Sequence, residues 1–115
     1  VVKELKAYVR PTFLNTIIEE LEKAGARDLT VIRVDALGAL ADSEFDRWHI
    51  VRKYDEKYFS VAKLELVCPQ SDAARFVEII REHGYTGEKG DGRIFVSSIE
   101  DAVNIRTGQR GTEAL

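Results

Sequence analysis

The sequence predicts a small α+β domain, in which two helices pack on one side of a four-stranded antiparallel sheet. Its 115 residues suit a single domain. Four segments have the alternating or β-branched composition of strands, and two have apolar residues at helical spacing. Their order along the chain is β-α-β-β-α-β, which is typical of a ferredoxin-like sandwich.

The strands are predicted from residues that alternate between apolar and polar, or from runs of β-branched residues. They fall at Leu5–Arg10, Leu29–Val34, Tyr58–Cys68 and Arg93–Ser97. A proline ends the first strand and another ends the third, at Pro11 and Pro69. This spacing leaves room for one helix after each of these two strands.

The helices are predicted where apolar residues recur every three or four positions. They cover Phe13–Leu21 and Ala73–Ile80. Thr12 or Asn15 is the candidate cap of the first, and Ser71 or Asp72 that of the second. Each helix is expected to end at a glycine, Gly25 or Gly84.

Two segments lack any clean period. Ala36–Lys57 is long and densely charged, and Tyr85–Gly92 is rich in glycine. Irregular segments of about twenty residues inside a compact domain are uncommon and are usually functional or disordered. We therefore expect the functional sites at these two segments, because loops held by a rigid sheet commonly carry them.

The glycine-rich segment has the composition of a phosphate-binding loop. Its three glycines, at positions 87, 90 and 92, allow positive φ angles, so that successive amides can converge on an anion. Lys89 and Arg93 add positive charge, and Thr86 adds a hydroxyl. A flexible turn is the alternative from spacing alone, because the run matches neither a P-loop nor a dinucleotide fingerprint.

Composition argues against several other classes of protein. The net charge of −3 and pI of about 5.4 argue against nucleic-acid binding. The single Cys68 can form no intrachain disulfide and is expected to be a buried thiol in a cytoplasmic protein. His49 and His83 are too far apart in sequence for a zinc motif, and no apolar run is long enough to span a membrane.

Four segments together resemble the nitrogen-regulatory PII signalling family. Thr86–Val96 reads TGEKGDGRIFV, close to the family pattern T-G-x-x-G-D-G-[KR]-I-F-V. Val103–Gly108 resembles the family's R-I-R-T-G region. Lys6–Pro11 and Leu29–Val31 resemble its first and second strands. The resemblance extends over essentially the whole chain.

The resemblance implies a homotrimer that binds ATP or ADP in clefts between neighbouring subunits. It implies a regulator rather than an enzyme. A loop at about residues 36–58 would signal to a protein partner, either a membrane transporter or a metabolic enzyme, in nitrogen metabolism. The residues that it places at the nucleotide are Thr30, Gly38, Val67, Gly87, Lys89, Gly90, Gly92, Arg93 and Arg106.

Each of these residues has an implied place by resemblance. The glycine loop, Lys89 and Arg93 would contact the phosphates, and Arg106 would reach them from a subunit edge. Thr30 would hydrogen-bond the adenine, while Val67 would pack against it. Gly38 would mark the base of the signalling loop.

The sequence departs from the family pattern beside the expected ligand. Ala39, Leu40 and Ala41 stand where the family has Arg-Gln-Lys, whose glutamine helps to hold Mg²⁺ and 2-oxoglutarate. Asn104 replaces the first arginine of R-I-R-T-G. We therefore expect no Mg²⁺-dependent response to 2-oxoglutarate. A sensor of AMP, a cyclic nucleotide or a small anion is the alternative function.

The charged loop also carries candidate partner-binding residues, which are Phe45, Trp48, Ile50 and Tyr54. Exposed aromatic residues often anchor protein interfaces, although these could instead fold back onto the trimer. No nucleophile with an oriented base is apparent, since Ser43 and His49 are six residues apart in this loop. A weak ATPase, with triphosphate bound beside Lys89, is the second alternative.

Overall fold

The computed structural model describes residues 1–36 and 59–115, with Phe59 described by its backbone alone. Its strands are β1 (Val2–Val9), β2 (Thr30–Ala36), β3 (Phe59–Pro69) and β4 (Gly92–Ile99). Its helices are α1 (Leu14–Lys23) and α2 (Gln70–Gly84), with 3₁₀ turns at Pro11–Phe13 and Gly111–Ala114. The predicted β-α-β-β-α-β order and the ferredoxin-like α+β fold are confirmed.

The four strands form one antiparallel sheet in the order β2-β3-β1-β4. In the centre, Ala7 lies opposite Leu64 of β3 and Ile94 of β4. At one end of the sheet Val9 pairs with Gly92, and at the other end Val2 pairs with Ile99. The strands β2 and β4 are therefore opposite edges of the sheet.

The core lies between the sheet and the two helices. Strand alternation turns Leu5 and Leu64 toward the helices, which contribute Ile17, Phe76 and Ile80. All five side chains are fully buried. Each contributes about 1.5–3 kcal/mol through the removal of its surface from water. The apolar residues whose spacing predicted the strands and helices are thus the ones that pack together in the core.

Cys68 belongs to this core and is only 3% exposed, which confirms the expected buried, unpaired thiol. Burial raises the pKa of the Cys68 thiol, and the nearby negative charge of Asp72 raises it further. Both effects keep the thiol protonated in the folded protein.

The predicted helix caps were wrong, because neither helix has a side-chain cap. The chain enters α1 through the turn at Pro11–Phe13, where the Phe13 amide donates to the Arg10 carbonyl. Helix α2 begins at Gln70, before both candidate caps, and Asp72 pairs with Arg75 instead. The glycine after α1 behaves as predicted, with φ of +99° at Gly25.

The sheet face away from the helices is partly apolar and is covered by no described helix. Tyr8 and Phe95 meet edge to face there, with ring centroids 6.0 Å apart, and the Lys63 amine lies 5.9 Å from the Tyr8 ring. Phe95 is 50% exposed, and Ile32 is also exposed. No helix of the described residues is long and apolar enough to cross a membrane.

Candidate functional site

The glycine-rich loop joins the end of α2 to the start of β4. Gly87, Gly90 and Gly92 all have positive φ, at +88°, +94° and +111°. Gly92 is held against β1, where a Cβ on this residue would stand 1.7 Å from the Tyr8 carbonyl oxygen. The loop thus has the left-handed backbone that its glycines predicted.

Asp91 closes this loop on itself. Its Oδ2 accepts hydrogen bonds from the amides of Thr86 and Gly87, each at 2.9 Å. Its Oδ1 accepts a short bond from the Thr86 hydroxyl and bonds from Nε and Nη2 of Arg10, at 3.3 and 3.2 Å. Arg10 Nη2 also donates to the Lys89 carbonyl at 2.9 Å. We call these contacts of Arg10, Thr86 and Asp91 the loop latch.

The latch sets the charge state of Asp91. Burial by itself would raise the pKa of this carboxyl, but the bonds from Thr86, Gly87 and Arg10 together hold it below its usual value. The side chains of Arg10 and Asp91 are mostly shielded from water. The carboxylate is therefore ionised at neutral pH, and it neutralises Arg10 rather than adding free negative charge to the loop.

The loop amides divide into two groups. Those of Thr86 and Gly87 are used by Asp91, and that of Glu88 donates to the Thr86 hydroxyl at 3.1 Å. Within the described residues, the amides of Lys89 and Gly90 have no hydrogen-bond partner. A phosphate contact through the Gly87 amide would thus require that amide to leave Asp91, whereas Gly90 needs no such change.

A cleft of about 400 Å³ opens beside the loop, between α2 and the adjoining ends of β1 and β4. Its floor is apolar, with Val9, Ile80 and Ile94. Its charged lining residues are Arg81, Arg93 and Asp91, of which Asp91 is paired with Arg10. The Arg81 guanidinium lies 5.9 Å from the ring of Tyr85. This arrangement favours an anionic group at the mouth of the cleft.

The C-terminal segment presents Arg106 on a tight turn held by Asn104. The Asn104 Oδ1 accepts bonds from the amides of Arg106 and Thr107, at 3.0 and 3.1 Å, and its Nδ2 donates to the Ala114 carbonyl. Val103 and Arg110 close the segment as a β-bridge. Asn104, which replaces an arginine of the family pattern, therefore shapes the turn that carries the exposed Arg106.

One subunit does not bring the candidate residues together. Thr30 begins β2, about 14 Å across the sheet from β4 if adjacent strands are about 4.8 Å apart. Arg106 follows the far end of β4, and that eight-residue strand is about 24 Å long. Val67 lies on β3, opposite Glu4. The loop, the Thr30 edge and the Arg106 turn are thus three separate parts of the surface.

The remaining candidates lie outside the described residues. These are Gly38 at the base of the predicted signalling loop and the proposed partner contacts Phe45, Trp48, Ile50 and Tyr54.

Comparison with known proteins identifies the family. The family model described as nitrogen regulatory protein P-II matches residues 2–109. The chain belongs to the P-II family. This confirms the resemblance that the motifs at 86–96 and 103–108 carried.

Two P-II relatives match over nearly their whole length. A nitrogen regulatory protein P-II of Rhizobium meliloti (strain 1021) is 32% identical over 114 residues, which cover 98% of this chain and 99% of the relative. Nitrogen regulatory protein P-II 2 of Methanothermobacter thermautotrophicus is 36% identical over 114 residues, with 98% and 96% covered.

Solved P-II structures share the fold. Arabidopsis thaliana PII bound to citrate has a TM-score of 0.80 at 30% identity, with 99% of this chain and 92% of that chain covered. A B. subtilis GlnK–ATP complex has a TM-score of 0.80 at 29% identity, with 99% and 95% covered. The family thus includes members solved with a nucleotide and with a small polycarboxylate.

Sequence reasoning missed the two residues that hold the P-II glycine loop, Arg10 and Asp91. An aspartate between two glycines is a signal for local closure, because its carboxylate readily accepts nearby backbone amides. Arg10 gave no comparable signal, since its partner is 81 positions away in the chain. Its contact depends on the pairing of β1 with β4.

Proposed function

We propose that this P-II protein binds ATP or ADP in clefts between the subunits of a homotrimer and regulates a protein partner through the loop at residues 36–58. The observation that carries the proposal is the glycine loop. The latch fixes the backbone of this loop. Among the described residues, the Lys89 and Gly90 amides have no partner, and the side chains of Lys89 and Arg93 add positive charge to the same segment. The ATP complex of the GlnK relative supports a nucleotide as the ligand.

The separation of the candidate residues supports a site shared between subunits. The loop can supply phosphate contacts, but within the same chain it lies far from both Thr30 and Arg106. A neighbouring subunit that packs against the open sheet face could supply its own Thr30, Val67 and Arg106. The half-exposed Phe95 on that face is the kind of surface that subunit association covers.

A regulatory rather than catalytic role fits the residues that surround the loop. Two of its polar side chains are engaged in holding backbone: Thr86 and Asp91 bond to each other and to loop amides. The Asp91 carboxylate, which already accepts hydrogen bonds from two amides, a hydroxyl and Arg10, is therefore not placed to act as a base for hydrolysis. Transduction would pass from the occupied cleft to the loop at 36–58, and from there to a transporter or a metabolic enzyme.

A second candidate is a sensor of AMP, a cyclic nucleotide or a small anion that does not respond to 2-oxoglutarate. Asn104 favours this second candidate. An arginine at this position would supply a charged phosphate contact, whereas both polar atoms of the Asn104 side chain are hydrogen-bonded within its own C-terminal segment. Contacts to a charged group contribute about 1.5–3 kcal/mol each, so the preference for a triphosphate over smaller anions should be reduced.

Isothermal titration calorimetry tests the proposal. ATP, ADP, AMP, cyclic AMP and citrate are titrated separately into the wild type, with and without Mg²⁺ and 2-oxoglutarate. We expect ATP and ADP to bind with one site per chain and with no gain from 2-oxoglutarate. Binding of AMP, cyclic AMP or citrate in preference to ATP would support the second candidate. Absence of heat with every ligand would reject both.

Variants then locate the site. Lys89→Ala should weaken ATP about tenfold or more through the lost charged contact, whereas Lys23→Ala, on the exposed surface of α1, should leave it unchanged. Arg106→Lys keeps the charge but not the forked geometry, so it should bind ATP with an affinity between wild type and Arg106→Ala. Equal affinities across the Arg106 series would remove Arg106 from the site.

A further inference from the structure

Asp91 and Arg10 do more than connect two strands, because their contacts decide which loop amides face outward. The Asp91 carboxylate lies where an anion would lie in a backbone nest, accepting from the Thr86 and Gly87 amides. That part of the loop is thus already filled by a group of the protein. Within the described part of the chain, the amides of Lys89 and Gly90 have no acceptor, and they remain available to an external anion.

Arg10 sets the direction of one of these donors. Its Nη2 donates to the Lys89 carbonyl at 2.9 Å. The Lys89 carbonyl and the Gly90 N–H belong to the same trans peptide unit and so point in opposite directions. The bond from Arg10 therefore turns the Gly90 amide away from the latch and toward the outside of the loop.

From this geometry we infer that Asp91, with Arg10, is a positioning residue for nucleotide binding. This inference rests on the proposed function. Asp91 does not touch the phosphate. It holds the loop with its Gly90 amide already directed outward, so that little conformational entropy is lost when a phosphate arrives. The functional consequence is selective: the latch supports binding of the phosphate groups and does not affect binding of the adenosine part.

The variant Asp91→Asn tests the latch, because it replaces one carboxylate oxygen by an amide nitrogen. An asparagine keeps one acceptor, but its amide group places N–H donors opposite at least some of the Thr86, Gly87 and Arg10 donors. Thr86→Val is the second variant, since it removes the hydroxyl that bonds to Asp91 and keeps the side-chain shape. Thr86→Ser restores that hydroxyl. Asp72→Asn is the matched control, because it breaks a surface ion pair at the start of α2.

Two measurements are made on each folded variant: calorimetric titration with ATP and with adenosine, and amide hydrogen exchange of the ligand-free protein. We expect Asp91→Asn to weaken ATP at least tenfold and to leave adenosine within about twofold. The Gly87 amide should exchange faster in Asp91→Asn and in Thr86→Val than in wild type. Thr86→Ser and Asp72→Asn should match wild type in all three quantities.

Three outcomes would contradict the proposals, and they are distinguishable. Wild-type affinity for ATP in Asp91→Asn, together with faster exchange at Gly87, would overturn the inference and leave the proposed function standing. Equal loss of ATP and adenosine would also overturn it, because the latch would then support the fold as a whole. Failure of the wild type to bind ATP would reject the proposed function and the binding role of Asp91 with it.

Discussion

Gly92 lies directly against the backbone of Tyr8, so closely that a Cβ on Gly92 would stand 1.7 Å from the Tyr8 carbonyl oxygen. The obstacle is backbone near the end of a paired strand, and a side-chain rotation cannot relieve it. This contact fixes the glycine loop to β1 at the point where β4 begins. It makes position 92 less tolerant of a side chain than position 87, where a Cβ would meet the Tyr85 hydroxyl at 3.2 Å.

The variants Gly92→Ala and Gly25→Ala separate this contact from the cost of positive φ alone. Gly25 has φ of +99° with no atom within 4 Å of a Cβ, so its replacement should cost only about 1–2 kcal/mol of unfolding free energy. Gly92→Ala should cost several kcal/mol more, or prevent folding, because the strand pairing must shift. Urea denaturation at one protein concentration measures both. Similar costs for the two variants would contradict the close contact.

Acid should lower the unfolding free energy of the wild type by protonating Asp91. The pKa of this carboxyl is lower in the folded protein than its ordinary value, so its contribution to stability is complete above about pH 4 and is lost as pH falls through the lowered pKa. Asp91→Asn lacks that contribution at every pH. The difference in unfolding free energy between the two proteins should therefore shrink on acidification from pH 5 to pH 2. A difference that is constant over this range would contradict the lowered pKa.

Two neighbouring residues on opposite sides of β4 test the proposed trimer. Phe95 and Val96 are 50% and 48% exposed, but Phe95 lies on the open sheet face and Val96 on the helix side. Phe95→Asp should dissociate the trimer, because it puts a charge into the proposed subunit interface, whereas Val96→Asp should not. Sedimentation velocity measures the assembly state. Dissociation by Val96→Asp alone would place the interface elsewhere.

The reactivity of the Cys68 thiol should distinguish the folded from the unfolded protein. Its burial and raised pKa disfavour the thiolate, which is the reactive form. An aromatic disulfide reagent should therefore label the native protein slowly at pH 7.5 to 8 and label the urea-unfolded protein at once. Native labelling as fast as that of the unfolded chain would show that β3 opens readily at Cys68.

Local patterns were sufficient to predict most of the fold. The apolar residues that alternate at Leu5–Val9 and recur at helical spacing in Phe13–Leu21 lie in the core or pack against it. Gly25 follows the end of α1 with the positive φ that is typical of a glycine in this position. The predicted side-chain caps were wrong, because Pro11 and Pro69 bring the chain into each helix by backbone geometry that requires no side-chain cap.

The candidate site was predicted less completely, and the reason is distance along the chain. The positive φ angles of the glycine loop follow from composition, because only glycine adopts them cheaply. The Arg10–Asp91 contact and the separation of Thr30 from the loop follow from strand order, which joins residues that are far apart in sequence. The predictions at Gly38 and Trp48 lie outside the described residues.

The central claim, that each nucleotide site is shared between two subunits, is tested most directly by mixing two defective variants. Lys89→Ala damages the glycine-loop side of a cleft, and Arg106→Ala damages the opposite side. The two proteins are unfolded together, refolded as mixed trimers and titrated with ATP. We predict that a fraction of high-affinity sites returns, because some clefts then combine an intact loop with an intact Arg106 from the neighbouring subunit. If mixed trimers bind ATP no better than either variant alone, each site lies within a single chain.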